Sequence, residues 1–162
     1  MRAWLVGGAV IETGDGVLLV QNQRRSGLLD WSPPGGVIDH GEALLDGLTR
    51  EVAEETGLTV GGWQGPLYEI EAHAPGLGWT LRVEAHQAVD VSGDLEVADP
   101  DGIVVDACYV PCSDCDQRLA DSHPWVREPL AAWLAERWDG TRRFRYQIDG
   151  ADPRDLQITR LT

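Results

Sequence analysis

The six residues from Trp31 to Gly36, with the sequence Trp-Ser-Pro-Pro-Gly-Gly, constrain the fold of this chain more than any other segment. The two prolines fix the backbone φ angle and lack amide donors, and the two glycines that follow free the backbone, so a helix cannot run through them. We therefore predict a shaped loop at this position. Strand-like segments precede this loop, and a helical pattern follows it.

Two apolar segments, residues 3–12 and 17–22, precede the loop and are separated by a turn rich in Gly and Asp. Their Val and Leu content predicts an antiparallel pair of strands. The same reasoning predicts three further strands and a terminal hairpin, at residues 66–74, 79–91, 103–110 and 141–162. An acidic loop, residues 94–101, precedes the last of the three strands.

The clearest helical pattern runs from Glu42 to Thr56, with apolar residues at helical spacing and Gly57 as its C-cap. A second amphipathic helix is predicted from Pro124 to Trp138, with Ser122 as its cap. Strands and helices are interspersed, and neighbouring strands are mostly antiparallel. The sequence therefore predicts the α/β class with a mixed β-sheet, in a single domain spanning residues 1–162.

The charge balance excludes several classes of function. The chain of 162 residues carries 27 Asp and Glu against 13 basic residues, a formal net charge of −14 that repels polyanions and disfavours nucleic-acid binding. Every basic residue is Arg, which excludes Schiff-base chemistry and any phosphate loop that depends on Lys. Contact with a phosphate group must therefore come from Arg, a metal ion or backbone amides.

The three cysteines, Cys108, Cys112 and Cys115, cannot pair evenly, and no segment approaches the ~20 apolar residues that span a bilayer. We therefore expect a cytoplasmic protein that has no membrane partner. The Cys-x-x-Cys spacing of Cys112 and Cys115 admits a zinc site, but such sites normally contain two pairs. A redox pair is the other interpretation, and Cys108, which with His123 is a conceivable further zinc ligand, falls within a predicted strand, which argues against a metal here.

Three glutamates, Glu51, Glu54 and Glu55, stand at positions i, i+3 and i+4 of the first predicted helix, so their carboxylates gather on one side of it. Like charges at this spacing repel, and a hard divalent cation such as Mg²⁺, or Mn²⁺ as an alternative, would remove the conflict. Such an ion is typically completed by substrate phosphates. A solvated acidic helix face is the alternative interpretation.

Residues 36–58 carry a longer pattern, G-x5-E-x7-R-E-U-x-E-E-x-G-U, in which U is a bulky aliphatic residue. Nine fixed positions are filled without departure, by Gly36, Glu42, Arg50, Glu51, Val52, Glu54, Glu55, Gly57 and Leu58. The segment resembles the box of the Nudix hydrolase family, and the match is far more specific than a lone glycine motif. The resemblance implies the Nudix α/β/α sandwich with a mixed β-sheet.

The resemblance also implies roles for individual residues. The three glutamates at the box positions, Glu51, Glu54 and Glu55, would bind the divalent metal and carry the catalysis, and the backbone carbonyl of Gly35 would be a further ligand. Supporting roles in holding the loop and helix in place fall to Gly36, Glu42 and Arg50. The general base would be Glu51 or Glu54, or it would come from the later acidic loop, which contains Glu96, Asp99 and Asp101.

Residues outside the box supply candidates for substrate binding. Arg24 and Arg25 could hold a terminal phosphate or the far half of the substrate, and Trp31 could stack on a base. Solvent exposure of the arginines and simple packing of the tryptophan are the alternatives. The basic cluster of Arg142, Arg143 and Arg145 is predicted to be charged surface, with a contact in a homodimer as the alternative.

The reaction implied by the resemblance is Mg²⁺-dependent hydrolysis of a nucleoside diphosphate linked to another moiety, by attack of water on a phosphorus atom of the diphosphate. Pro75 lies near the place where family members that cleave ADP-ribose often carry a proline, although a Pro-Gly turn explains it equally well. The alternatives are a nucleoside triphosphate pyrophosphohydrolase acting on oxidised dNTPs and a Nudix domain that senses a nucleotide without catalysis.

Overall fold

The computed structural model describes all 162 residues, which form ten strands and three α-helices. The strands are β1 (Arg2–Val10), β2 (Glu12–Thr13), β3 (Gly16–Gln23), β4 (Leu29–Ser32), β5 (Gly35–Val37), β6 (Thr59–Ala74), β7 (Trp79–Ser92), β8 (Val104–Val110), β9 (Arg142–Asp149) and β10 (Gln157–Arg160). The helices are α1 (Leu44–Thr56), α2 (Cys115–Arg118) and α3 (Pro124–Glu136). None of these helices has the length and apolar character needed to cross a membrane.

Six strands form one sheet in the order β10-β9-β6-β7-β1-β5. In this sheet β1 runs parallel to β7 and β6 runs parallel to β9, whereas the other neighbouring strands are antiparallel. The predicted mixed sheet is therefore confirmed. The predicted terminal hairpin is also present, as the antiparallel pair of β9 and β10.

The second sheet is built around β3, which pairs with β8 on one edge and with β2 and β4 on the other. The predicted antiparallel pairing of residues 3–12 with 17–22 is wrong for most of its length, because β1 lies in the six-stranded sheet and only the two residues of β2 pair with β3. The apolar run of β3 explains the difference. Residues 16–20 are all buried, as expected for a strand between two partners and not for one arm of a two-stranded pair.

The two long helices cover opposite faces of the six-stranded sheet. Leu48 and Val52 of α1 pack in one apolar cluster with Ala9 of β1, and Leu130 and Trp133 of α3 pack in a second cluster. The second cluster contains residues of β6 and β9, including Ile70 and Phe144. This layered arrangement of helix, sheet and helix confirms the predicted α/β/α sandwich.

Several predicted boundaries differ from the structure. The segment from Trp31 to Gly36 is not one continuous loop, because β4 ends at Ser32 and β5 begins at Gly35, which leaves only the two prolines between the strands. Helix α1 begins at Leu44, two residues later than predicted. Strand β6 begins at Thr59, seven residues earlier than predicted, since pairing with β7 overrides the low strand propensity of its glycines.

The second long helix also differs from its prediction at both ends. His123, not Ser122, precedes the first helical residue, and the Ser122 hydroxyl donates instead to the backbone carbonyl of Trp31. The helix ends at Glu136, because Arg137 adopts a left-handed conformation with φ 50°. Of the basic cluster, Arg143 and Arg145 pair with Glu69 and Glu71 across β6 and β9, and Arg142 pairs with Glu136.

Candidate active site

Helix α1 carries the three glutamates and holds them beside the edge strand β5. Leu48 and Val52 are fully buried beneath the helix, and Gly57 ends it in the left-handed conformation that glycine favours, with φ 77°. Burial of these side chains fixes how the helix is rotated about its axis. The carboxylates of Glu51 and Glu55 therefore face β5, whereas the side chain of Glu54 keeps 30% of its surface exposed.

Two glycines of β5 allow the carboxylates to approach the backbone. The amide of Gly35 donates a hydrogen bond of 2.8 Å to Oε1 of Glu55. A Cβ atom on Gly36 would lie 2.7 Å from Oε2 of Glu51. Gly35 itself has φ 151°, and a Cβ there would collide with the carbonyl oxygen of Gly7 on the neighbouring strand. Both positions therefore need glycine for the carboxylates to lie where they do.

Arg50 links the carboxylates of α1 to the segment that precedes the helix. Its guanidinium forms a two-bond fork with Glu42, with both N···O distances at 3.0 Å. Its remaining terminal nitrogen donates to Glu51 and to Glu54, at 3.2 Å each. Glu42 also accepts a hydrogen bond from the amide of Asp39. Planar, bidentate pairing of this kind fixes side-chain geometry, so Arg50 and Glu42 are placed to support the site.

Burial and mutual repulsion shift the pKa values of the carboxylates. Burial raises the pKa of Glu55 to about 8, against the opposing hydrogen bond from Gly35 and with further increases from nearby acidic groups. Burial also raises the pKa of Glu51, while Arg50 opposes that shift. The hydrogen bonds from Arg50 lower the pKa of Glu42. Without a bound cation, the surroundings of Glu51 and Glu55 therefore favour the protonated form of each carboxyl.

The acidic loop that precedes β8 faces these glutamates. Both carboxylate oxygens of Asp99 are used within the loop, accepting from the amides of Asp101, Ile103 and Val104. Asp101 lines the same cavity as Glu51, and its charge contributes to the raised pKa of Glu51. Asp99 lines the cavity as well, but its oxygens accept three amide hydrogen bonds, whereas no side-chain hydrogen bond engages the Asp101 carboxylate. Glu96, the third candidate from this loop, does not line the cavity.

Of the three glutamates, Glu51 and Glu55 line a cavity of about 500 Å³, whereas Glu54 does not belong to its lining. The rest of the cavity extends between the two sheets, where apolar side chains from β6, β7 and α3 form its walls. Arg24 lines this cavity, but two of its nitrogens are engaged with Asp30, at 2.7 and 2.9 Å. Arg25 and Trp31 do not belong to the lining, and the ring of Trp31 lies beneath the guanidinium of Arg118.

The donor set suits a hard divalent cation. Carboxylate and backbone carbonyl oxygens are the ligands that Mg²⁺ and similar ions prefer, and a bound cation would favour the ionised forms of Glu51 and Glu55, which burial disfavours. No three acidic, His or Cys side chains converge on one point in this structure, since Arg50 holds Glu51 and Glu54 to itself. Metal binding would therefore require these two side chains to turn away from Arg50.

The cysteines lie outside this cavity. Cys112 is exposed and contacts Glu12, Cys115 is buried with its thiol directed at the carbonyl of Val110, and Cys108 contacts Arg118. All three are free thiols. Each thiol thus has a different neighbour.

Three polar residues that line the cavity, Asn22, Ser32 and Tyr68, were not predicted as site residues from the sequence. Asn22 and Tyr68 both line it, and both are almost fully buried. Asn22 ends an apolar strand and Tyr68 follows a Gly-Pro pair, so neither stands in a motif. A polar residue within a run of buried apolar positions, as at Asn22, was the available signal.

Comparison with known proteins agrees with this geometry. The model of the NUDIX domain family matches residues 1–134. A protein of Bacillus subtilis strain 168 named uncharacterized Nudix hydrolase YvcI is 42% identical over 55 residues, which are 34% of this chain and 33% of that protein. A Xenopus laevis protein named nucleoside diphosphate-linked moiety X motif 6 is 42% identical over 53 residues, which are 33% of this chain and 24% of that protein. The chain thus spans a third or less of the length of these two relatives.

Solved structures share the fold at lower sequence identity. The solution structure of the E. coli ORF135 protein is 22% identical, with a TM-score of 0.70 over 86% of this chain and 96% of that one. The crystal structure of a MutT NUDIX hydrolase from Burkholderia pseudomallei is 22% identical, with a TM-score of 0.67 over 80% of this chain and 97% of that one. An ADP-ribose pyrophosphatase from Streptococcus suis is 22% identical, with a TM-score of 0.55 over 86% of this chain and 98% of that one.

Proposed function

Because this chain belongs to the Nudix domain family, we propose that it is a Mg²⁺-dependent hydrolase that cleaves a nucleoside diphosphate linked to a further group, with ADP-ribose-like compounds as the first candidates. One observation carries the proposal. Glu51 and Glu55 lie against the glycine backbone of β5 in the lining of a cavity of about 500 Å³. The carboxylates suit a cation, and the remaining volume is large enough for the organic part of a nucleotide.

We assign the metal ligands to the carboxylates of Glu51, Glu54 and Glu55 and to the backbone carbonyl of Gly35. A bound divalent cation polarises a phosphoryl oxygen and lowers the pKa of a water molecule beside it. The Gly35 amide holds Glu55 at 2.8 Å, whereas Glu51 and Glu54 accept hydrogen bonds from Arg50 at 3.2 Å. Arg50 would then release these two side chains to the cation while keeping its fork with Glu42.

The general base is a carboxylate that can take the proton of the attacking water. Glu51 and Glu54 are candidates from the helix, and Asp101 is the candidate from the loop, because Asp99 already accepts three amide hydrogen bonds. The water attacks one phosphorus of the diphosphate, the bridging P–O bond breaks, and a nucleoside monophosphate leaves together with a phosphorylated fragment. Arg24 lines the cavity and retains one terminal nitrogen for the substrate.

The experiment that tests this proposal is a product analysis over a panel of ADP-ribose, NADH, nucleotide sugars, dinucleoside polyphosphates and 8-oxo-dGTP, with and without Mg²⁺. Formation of AMP and ribose 5-phosphate from ADP-ribose would support the proposed reaction. Preference for 8-oxo-dGTP with release of pyrophosphate would favour a nucleoside triphosphate pyrophosphohydrolase instead. Binding without turnover, in the presence of either Mg²⁺ or Mn²⁺, would favour a nucleotide sensor.

The panel should be repeated with Glu55→Gln and with Glu136→Gln. The first substitution removes a buried carboxylate of the site, whereas the second removes an exposed one that pairs only with Arg142 on the surface. Turnover that depends on Glu55 and not on Glu136 would place the reaction in this cavity. Equal activity in both variants would overturn the assignment.

A further inference from the structure

The hydroxyl of Tyr68 is a polar group that the protein places in the cavity and leaves without a protein partner. The residue is 3% exposed, and the ring packs edge-on against Phe144, with 6.1 Å between the ring centroids. Its hydroxyl makes none of the side-chain hydrogen bonds of the fold, yet the residue lines the cavity. Tyr146, by contrast, donates its hydroxyl to Glu128 at 2.9 Å. The hydroxyl is not one of the fully buried atoms that lack a partner, so it keeps contact with the open space of the cavity, where a ligand can pair with it.

Asn22 offers a second polar atom to the same cavity. The residue is 5% exposed, and its amide nitrogen donates to Oδ1 of Asp30 at 3.1 Å and to Oγ of Ser32 at 2.9 Å. A carboxylate only accepts, so the atom of Asn22 that faces Asp30 must be the NH₂ group. The amide oxygen Oδ1 is then left without a protein donor, and the lining of the cavity includes this residue.

The orientation of the Asn22 amide is fixed by its neighbours. Arg24 donates to both carboxylate oxygens of Asp30, which holds that carboxylate in place. Asp30 and Ser32 then use both protons of the Asn22 amide, so the amide cannot flip without losing these bonds. Asn22 therefore presents a fixed acceptor to the cavity, and a ligand atom that faces it must carry a hydrogen.

The walls around these two polar atoms are apolar. Asn22 and Tyr68 share the cavity with the apolar side chains of Val6, Ile70, Leu81, Val83, Trp125 and Val126. A flat ring with apolar faces and a polar edge can bury its faces against such walls and use its edge for Asn22 and Tyr68. A sugar would bury hydroxyl groups there without partners, which is costly.

We propose that Asn22 and Tyr68 form the polar edge of a nucleobase pocket, with Asn22 Oδ1 accepting from an amino or ring N–H group of the base. The pocket deepens the proposed function, on which it rests, because the base lies between the sheets while the diphosphate reaches Glu51 and Glu55. Asn22 and Tyr68 would be specificity-determining residues, and Arg24 would act through Asp30 as a positioning residue for Asn22.

The proposal is tested by calorimetric titration of the protein with AMP, GMP, CMP and UMP, and with ribose 5-phosphate as the probe that lacks a base. At least one nucleotide is expected to bind ten times more tightly than ribose 5-phosphate. The Tyr68→Phe substitution removes a single hydroxyl. It is expected to lower the affinity for that nucleotide threefold to tenfold, which is the effect of one hydrogen bond. It should leave ribose 5-phosphate binding unchanged.

Tyr146→Phe is the matched control, because it removes a hydroxyl from the same residue type outside the cavity. It should leave nucleotide affinity unchanged. Asn22→Ala should lower the affinity for the nucleotides and change the order in which they are preferred. Thermal unfolding establishes that this variant folds. Equal affinity for nucleotides and ribose 5-phosphate, or unchanged nucleotide affinity in Tyr68→Phe, would overturn the pocket.

These titrations need no turnover, so they separate the pocket from the reaction. If the protein binds nucleotides through Tyr68 but hydrolyses no compound of the panel, the proposed pocket is supported and the proposed function is contradicted. If the protein hydrolyses a diphosphate, and if kcat and KM are unchanged in Tyr68→Phe and Asn22→Ala, the proposed function is supported and the proposed pocket is contradicted.

Discussion

The carboxylate of Glu51 lies over the α-carbon of Gly36, so close that a methyl group on that carbon would come within 2.7 Å of it. The Glu51 side chain of helix α1 can therefore lie this close to the edge strand β5 only because position 36 has no side chain. The neighbouring pair, Glu55 and Gly35, shows the same relationship through a hydrogen bond from the amide. Glu55 is therefore held by the backbone of β5, whereas Glu51 lies against that backbone and accepts its hydrogen bond from Arg50.

Substitution of Gly36 tests this contact directly. The added methyl of Gly36→Ala would push the Glu51 carboxylate away, and we expect turnover to fall tenfold to a hundredfold, in the range seen when metal ligands lose their support. The concentration of Mg²⁺ that gives half-maximal turnover should rise. Gly14→Ala is the control, since a Cβ at Gly14 meets nothing within 4 Å. Wild-type turnover in Gly36→Ala would contradict the importance of this contact.

The carboxylates themselves are tested by Glu54→Gln and Glu55→Gln. Each variant is expected to lose at least a hundredfold in turnover, because each removes a negatively charged ligand or base while keeping the size of the side chain. Circular dichroism should report an unchanged fold. The Glu55 variant should also be at least as stable as the metal-free wild type, since burial opposes ionisation at this position. Wild-type turnover in either variant would remove that residue from the site.

The placement of the glutamates on helix α1 could be predicted from the sequence, because it depends only on the spacing of these residues along the chain. Helical periodicity places Glu51, Glu54 and Glu55 on one side of α1, and the fixed glycines indicate where the backbone is approached closely. The resemblance to the Nudix box then gave these positions their expected chemistry. Sequence spacing within one helix is a short-range property, which tertiary packing changes little.

The long-range parts could not be predicted in the same way. Asn22 and Tyr68 are 46 positions apart and meet one cavity only because β3 and β6 belong to different sheets that pack together. The pairing of residues 3–12 with 17–22 failed for the same reason. A turn between two apolar segments favours a hairpin. Both faces of β3 are buried, however, and β1 pairs with β7 in the other sheet.

The packing of helix α1 against β1 can be tested by substituting two leucines of that helix. Leu48 is fully buried between α1 and β1, whereas Leu45 is 38% exposed. We expect Leu48→Ala to lower the free energy of unfolding by about 2–5 kcal/mol, because it leaves a cavity, and to lower turnover as the glutamates lose their position. Leu45→Ala should cost less than half as much. Urea unfolding with a two-state fit gives both values, and equal losses would contradict this role for Leu48.

The ion pair of Glu12 and Arg137 predicts a dependence of stability on pH. The side chains meet at 2.6 and 2.8 Å, and the hydrogen bonds from Arg137 lower the pKa of Glu12 below its ordinary value of 4.5. A carboxyl group with a lowered pKa in the folded state contributes stability above the unfolded value, and this contribution is lost as the pH falls through the folded value. The pair joins β2 to the end of α3, two elements far apart in sequence.

We therefore expect Glu12→Gln to destabilise the protein at pH 7 by at most about 1 kcal/mol, the upper end for exposed pairs. The difference from wild type should shrink as the pH falls below 4.5, because protonation of Glu12 removes the same charge. Asp152→Asn is the control, since Asp152 pairs with Arg154 only two residues away in an exposed segment. Denaturant unfolding at pH 7 and pH 3.5 measures both variants. A difference for Glu12→Gln that persists unchanged at pH 3.5 would show that the side chain stabilises the fold by packing and not by charge.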